Sequence, residues 1–313
     1  MIVSVTLNPC IDHVLFVDGL QVHDTNRVVR VEKDAGGKGV NLSRVVAELG
    51  ADTLATGFLG GDTGAFVRCV LDRQGVDHRF VETAAETRTN SSIEDGTGKP
   101  PTTLNEKGGP ISIAELEELK GLLSELTPQC RWMALGGSLP KGVPTGVFRE
   151  LALLGRAHGC KVVLDSDGDP QIEGLKARPD FIKPNGPEAE RLLGRKIISD
   201  EDAILAAKDL LNFVSPDGFA VLSRGKQGAI LASEEGIYIG QSPTVDAKST
   251  IGSGDSLIGG LLWALEEGKP LPEAFAWGLA SGAATAMSDG SGIAKRNDVL
   301  ALVPKAQVKI AKS

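Results

Sequence analysis

Apolar positions along this chain follow two rhythms, and the places where one gives way to the other outline the predicted elements. Short β-branched runs read as strands at Ile2 to Leu7, Val14 to Val17, Arg27 to Val31 and Thr53 to Leu59. Helical spacing appears at Val40, Leu42, Val45, Val46 and Leu49, closed by Gly50, and at Phe66, Val67, Val70 and Leu71, stopped near Gly75. Val76 to Thr103 breaks this rhythm with short extended segments, polar turns and the Lys99-Pro100-Pro101 break. Ile111 to Leu126 returns to helix, and Ser112 with Glu115 has the spacing of a capping box.

From there the alternation is regular. Strands are predicted at Trp132 to Leu135, Lys161 to Leu164, Phe181-Ile182 and Phe219 to Leu222, with a hairpin at Ala229 to Ala232 and Gly236 to Ile239. Helices are predicted at Val147 to Ala157, Pro187 to Leu193, Glu201 to Phe213, Asp255 to Glu267 and Pro272 to Ser288, followed by a helical C-terminus. Strands alternating with helices of this length predict an α/β fold, a mostly parallel sheet covered on both faces. The two irregular β-rich pieces, about 12–34 and 80–108, are expected to pair into a small accessory sheet within one domain spanning 1–313.

Composition narrows the function classes. With 41% apolar and 24% charged residues, the 313-residue chain is ordinary for a folded protein. A net charge of −8 gives no general attraction to nucleic acid or an anionic membrane, so any anion site must be a local pocket. Cys10, Cys69, Cys130 and Cys160 are scattered without metal-ligand spacing and read as reduced thiols. The apolar stretch Phe275 to Met287 covers about 13 residues, short of the ~20 a membrane span needs, and no basic segment precedes an apolar run near residue 1. A cytoplasmic enzyme is the expectation.

The most informative segment is Ser249-Thr250-Ile251-Gly252-Ser253-Gly254-Asp255-Ser256, immediately before the apolar helix Leu257 to Leu265. Paired glycines let several amides converge, and the helix start adds unpaired N–H groups and the positive end of its dipole. Such a corner binds an anion and can stabilise a transferring phosphoryl group, while Asp255 can take the proton of an attacking hydroxyl. Spacing alone leaves a second reading open, with Asp255 as a helix cap in a glycine turn. Neither the phosphate-loop string G-x-x-x-x-G-K-[ST] nor the dinucleotide fingerprint G-x-G-x-x-G is present, since Leu257 holds the third glycine position.

Taken in order, Asn8-Pro9 with Asp12, Gly36-Gly37-Lys38-Gly39 with Asn41, Thr87-Arg88-Thr89-Asn90, Gly137-Ser138-Leu139-Pro140, Lys183-Pro184-Asn185 with Glu188, and Gly252-Ser253-Gly254-Asp255 span nearly the whole chain. This series resembles the ribokinase-type carbohydrate kinases, the PfkB family, in its phosphofructokinase and tagatose-6-phosphate kinase branch. The resemblance implies a ribokinase-like three-layer α/β/α fold with a small β-sheet lid, often used for homodimers.

It also implies roles. Asp255 is the expected base, and Gly252, Ser253 and Gly254 the anion hole. Asp12 and Asn41 would hold sugar hydroxyls, with Gly36 and Gly37 letting the sugar lie against the backbone. Lys38, Arg88 and Arg27 would meet the substrate phosphate, and Asn90 and Ser138 complete that pocket. Lys183, Asn185, Glu188, Ser223, Gly225 and Gly228 would serve ATP, with Glu188 reaching Mg2+ through water. Duller readings stand beside these: Lys38 as a solvated helix start, Asp12 as a turn cap, Arg88 as a surface ion pair, Glu188 as a first-turn acid.

The implied reaction is phosphoryl transfer from ATP to a ketohexose phosphate, with fructose 1-phosphate ahead of tagatose 6-phosphate and fructose 6-phosphate. A kinase of unphosphorylated sugars or nucleosides would leave Lys38 and Arg88 without an anionic partner. A non-catalytic sugar-phosphate binder is disfavoured by Asp255, and an oxidoreductase lacks a fingerprint.

Overall fold

The computed structural model of the chain describes residues 1–98 and 101–311, so Lys99 and Pro100 of the expected break lie outside the described residues. In chain order the strands are β1 (Ile2–Thr6), β2 (Cys10–Val17), β3 (Val28–Gly36), β4 (Thr53–Leu59), β5 (Asp77–His78), β6 (Val81–Glu82), β7 (Arg88–Glu94), β8 (Thr102–Asn105), β9 (Trp132–Gly136), β10 (Lys161–Asp165), β11 (Phe181–Ile182), β12 (Phe219–Ser223), β13 (Ala229–Ser233), β14 (Gly236–Gln241) and β15 (Gln307–Ile310). The helices are α1 (Lys38–Leu49), α2 (Gly61–Arg73), α3 (Ile113–Leu126), α4 (Val147–Ala157), α5 (Gly168–Leu175), α6 (Gly186–Leu193), α7 (Asp200–Asp209), α8 (Ser253–Glu266), α9 (Leu271–Ala286) and α10 (Arg296–Leu302).

The large sheet runs β15-β14-β13-β12-β11-β10-β9-β1-β4-β5, with β6 also pairing β4. It is parallel from β12 through β5 and antiparallel from β12 to β15. Residues of β1 and β9 are buried throughout, as a parallel sheet covered on both faces requires. Strand alternation divides the core. Trp132 and Ala134 pack with Leu42, Val45, Leu261 and Phe275 of α1, α8 and α9. Met133 and Leu135 pack with Leu119, Leu123, Phe148 and Leu151 of α3 and α4 on the other face.

Helix α8 lies between α1 and α9 at close range. A Cβ on Gly259 would come within 3.1 Å of the Leu42 carbonyl, and one on Gly278 within 2.7 Å of the Leu257 carbonyl. The small-residue run in α9 is therefore a packing device that lets α8 seat tightly.

The second sheet, β3-β2-β7-β8, joins the first irregular segment to β7 and β8 of the second; β6, also within the expected 80–108 piece, instead pairs β4 of the large sheet. It pairs β2 with β3 and β7 with β8 antiparallel, and β2 with β7 parallel. The capping box at α3 forms as its spacing predicts, with Ser112 and Glu115 bonding reciprocally.

Three expectations are corrected. The helical C-terminus is only α10; after a short turn the chain forms β15, an edge strand whose alternating Gln307-Val308-Lys309-Ile310 pairs with β14. Helix α5, capped by Asp167, had no predicted counterpart because glycines and Pro170 dilute its periodicity. β2 and β3 are longer than predicted, and β3 runs into Gly36, so the glycine pair begins at a strand end. No helix among the described residues is long and apolar enough to cross a membrane.

Candidate active site

The segment singled out by its glycines becomes the start of α8, at the edge of the large sheet where its parallel strands end. Gly252 is the N-cap, in the left-handed region at φ 74°, and no side chain caps the helix. Ser253 N–H reaches the Thr250 carbonyl at 3.3 Å and Ser256 N–H the Gly252 carbonyl at 2.9 Å. Among the described residues the Gly254 and Asp255 amides have no acceptor, which leaves two donors and the positive dipole end facing one point. The buried Ser253 hydroxyl is also unpaired. An incoming phosphate would satisfy these groups. Lys183 Nζ lies 3.1 Å from where a Cβ on Gly254 would stand, so the absent side chain admits an ammonium to the same corner.

Asp255 stands in the first turn and keeps a partly exposed surface. Asn41 Nδ2 on α1 donates to its Oδ2 at 2.9 Å. Behind it, Asp165 at the end of β10 is buried between Lys38, 3.0 Å away, and Lys183, at 3.6 Å. Burial pushes the Asp255 pKa up to about 6; Lys38 opposes this, Asp165 adds to it, and Asn41 and Lys183 pull back. Burial would also raise Asp165, but the two ammoniums hold it below the usual carboxylate range. Burial alone would lower Lys38; Asp165, Asp255 and Glu188 outweigh it and raise the pKa. The group therefore contains one firmly ionised acid, flanked by cations, and one acid whose proton affinity sits close to neutral pH, the property a general base needs.

The residues expected at the sugar are organised by register. Asp12 on β2 lies opposite Asp34 on β3 and Asn90 on β7, while Cys10 lies opposite Gly36 and Arg88. A Cβ on Gly36 would fall 2.3 Å from Asp12 Oδ2, so only glycine lets this carboxylate lie over the strand. The Cys10 thiol donates to Asp12 at 3.3 Å and accepts from Asn90 Nδ2 at 3.1 Å. Among the described residues Asn90 Oδ1 is buried without a donor and could accept from a hydroxyl. Burial raises the Asp12 pKa, and Cys10, Arg44 and Arg88 oppose the shift. Gly37, at φ 117°, is the N-cap of α1 and has no side chain to cap it; Thr6 on β1 supplies the oxygen that accepts from Val40 N–H at 3.0 Å.

Arg88 bonds to the Asn8 carbonyl at 3.2 Å and the Glu106 carbonyl at 2.7 Å, and Asn8 Nδ2 reaches Ser138 Oγ at 3.1 Å. The guanidinium is thus held on main-chain oxygens, not in a carboxylate pair. Lys38, expected with Arg88 at the substrate phosphate, lies beside Asp165 and Asp255. It shares an open cleft with Ser138 and Glu188. Arg27 is exposed on the segment before β3 and is not brought to the cluster.

The nucleotide-side candidates divide. Lys183 joins the corner. Asn185 N-caps α6, and Glu188 accepts from the Asn185 backbone at 2.9 Å and from its Nδ2 at 2.8 Å, a closed capping box. Asn185, Ser223 and Gly225 line one pocket, and a bridge pairs Asn185 with Ser223. A Cβ on Gly228 would stand 2.0 Å from the Gly240 carbonyl, so that glycine is required by the β13–β14 approach itself. Among the described residues no three carboxylate, Cys or His side chains gather as a metal cage. A magnesium ion, which usually keeps several waters, would meet Glu188 at the edge of the cleft that Lys38 and Ser138 also line.

Sequence reasoning missed Asp165 and Arg44. An acid ending a central parallel strand was the available signal for Asp165, because ligands of open α/β sheets lie beyond strand carboxyl ends. Arg44 gave none: on an amphipathic helix an arginine reads as solvent-facing.

Comparison with known proteins decides among enzyme classes, since residues 5–297 match the pfkB family carbohydrate kinase. The chain belongs to the pfkB family. Kinases of this family use ATP with a divalent metal. A 1-phosphofructokinase of Rhodobacter capsulatus is 35% identical over 87% of this chain and 86% of its own. A tagatose-6-phosphate kinase of Staphylococcus epidermidis is 33% identical over 83% of this chain and 84% of its own. Among solved structures, phosphofructokinase-2 from Escherichia coli in complex with substrates and products superposes with a TM-score of 0.90 at 25% identity, over 97% of this pfkB-family chain and 98% of that one. The three-layer ribokinase-like fold with its small second sheet follows from the same likeness.

Proposed function

We propose that this pfkB-family kinase transfers the γ-phosphoryl group of ATP to a free hydroxyl of a ketohexose phosphate, with fructose 1-phosphate the preferred acceptor. The observation that carries the reading is Asp255, hydrogen-bonded to Asn41 on the first turn of a helix whose amides are open and which Lys183 flanks. The acceptor hydroxyl gives its proton to Asp255 as its oxygen bonds to the γ-phosphorus, and the bond to the bridging oxygen breaks to release ADP. The Gly254 and Asp255 amides with Lys38 and Lys183 take the charge of the transferring group. Magnesium, when bound, neutralises the phosphate oxygens; Glu188 would hold it through water. Asp12, Asn90 and Gly36 orient the sugar, and Arg88 and Ser138 meet its existing phosphate, with the Arg88 fork exchanging main-chain carbonyls for phosphate oxygens.

Segments 12–34 and 80–108 act as a lid on a single 1–313 domain, and closing it excludes water as a competing acceptor. Val28, Val29, Val31 and Leu104 are exposed on this sheet at 45, 61, 49 and 60%, and we read them as the face of a homodimer in which Arg27 approaches a substrate phosphate. The cytoplasm is the compartment this chemistry needs for its supply of ATP. Tagatose 6-phosphate is the second reading, favoured by the Staphylococcus epidermidis relatives.

The test is ADP release with fructose 1-phosphate, tagatose 6-phosphate, fructose 6-phosphate, fructose, ribose and adenosine, ranked by kcat/KM. A ketohexose phosphate should lead. Turnover greatest on an unphosphorylated acceptor, or binding of sugar phosphates without ADP release, overturns the proposal.

A further inference from the structure

Among the described residues Arg44 is the largest sealed side chain, with 1% of the side chain exposed, and it has no place in the mechanism above. A buried guanidinium is an expensive way to hold a fold together. Desolvating it is costly, and apolar residues of similar volume often serve stability as well or better. What Arg44 touches suggests another reason for its presence. Nη1 donates to the Ala35 carbonyl at 2.7 Å and to Asn41 Oδ1 at 3.4 Å, Nε donates to Gln74 Oε1 at 2.8 Å, and Nη2 meets the Asp34 carboxylate.

The contact with Asn41 has a chemical consequence. An amide side chain has one accepting and one donating end. Because Oδ1 is turned to the guanidinium, Nδ2 is the end that faces Asp255, at 2.9 Å. The reversed amide would set its N–H2 against a cation and its oxygen against a carboxylate. Arg44 therefore selects the orientation in which Asn41 donates to the base. On its other side it neutralises Asp34, the cross-strand neighbour of Asp12, and grips Ala35 at the end of the same strand. One planar fork thus spans β3 of the small sheet, the end of α2 and the residue that holds Asp255.

We propose that Arg44 is a positioning residue of the phosphoryl-transfer site, fixing Asn41 as a hydrogen-bond donor to Asp255 and tying that arrangement to the β3 strand of the small sheet. The proposal rests on the kinase reading, in which Asp255 is the base. It assigns Arg44 no contact with substrate.

Arg44→Lys keeps the charge but cannot serve all these acceptors from one plane. With ATP and the best ketohexose phosphate, kcat should fall roughly ten- to a hundredfold, the scale of a slightly misplaced base. The acidic limb of kcat/KM should move to higher pH, because Asp255 loses a donor that favours its ionised form, while KM for ATP stays within about twofold. In an Asn41→Ala background the same change should add little further loss or shift, since Arg44 acts through Asn41. Gln74→Ala, at an exposed position, removes only the Nε acceptor and leaves folding undisturbed. It should lower kcat about threefold and shift the limb in the same direction. Wild-type pH profiles in both single variants, or full additivity of Arg44→Lys with Asn41→Ala, overturn the proposal. Should Arg44→Lys not fold, an unshifted limb with unchanged kcat in Gln74→Ala overturns it. ADP release by the unaltered protein, measured alongside, separates failure of this proposal from failure of the kinase reading.

Discussion

Around Asp255 the charges have partners before any substrate arrives: Asp165 lies between Lys38 and Lys183, and Asp255 itself receives Asn41. On the small sheet Arg88 is held by two main-chain carbonyls, and Arg27, just before β3, stands exposed. The first region sits on strand and helix ends of a sheet buried on both faces, where side chains are fixed by packing. The second is a four-stranded sheet whose β3 face is largely exposed. Transfer needs a preorganised corner because the charge appears only in the transition state. Recognition of a ground-state phosphate tolerates cations that change partners on binding.

Mutations should therefore separate the two regions in kinetics. The largest effect is expected at the corner: Asp255→Asn should lower kcat roughly 10²- to 10⁴-fold, the range a general base supplies, while the sugar phosphate still binds in titration calorimetry. Loss of binding equal to the loss of rate would erase the distinction between the regions. Next, Arg88→Ala should raise KM for the sugar phosphate roughly ten- to a hundredfold and leave kcat within about threefold, as removal of a ground-state contact does. A fall in kcat matching Asp255→Asn would move Arg88 into the transferring site. The smallest effect is on assembly. Val29→Glu on the exposed face of β3 should weaken the proposed dimer roughly tenfold or more by sedimentation velocity, and an unchanged association state would leave that face without a partner.

The same contrast explains what was legible in the sequence. Strands of the large sheet are apolar runs between glycines and polar turns, and the open helix start at Gly252 is visible as a local string. Gly36 and Asp12 lie 24 positions apart, and the reason one must be glycine appears only when β2 and β3 come into register. Arg44 gave no signal in the sequence and is sealed; Lys38, expected by resemblance at a phosphate, pairs with Asp165. In each case a partner distant in the chain decided the placement. Asn185 and Glu188 show the reverse: their local spacing is that of a capping box, and the box forms. The C-terminal strand β15 was hidden because four alternating residues acquire a structure only from the edge of β14.

The account depends on Asp255 being ionised to act, with a pKa raised by burial to about 6 in the protein without substrate. The raised value means that protons reach this base at milder acidity than an ordinary carboxylate, so activity should be lost as pH falls through 6. The direct measurement is kcat/KM for the sugar phosphate from pH 4.5 to 8, at saturating ATP and over the range where the protein stays folded. A single acidic limb with its midpoint near 6, absent from the residual activity of Asp255→Asn, is the predicted result. A rate that holds level down to pH 4.5, or a limb that persists unchanged in the variant, would contradict it.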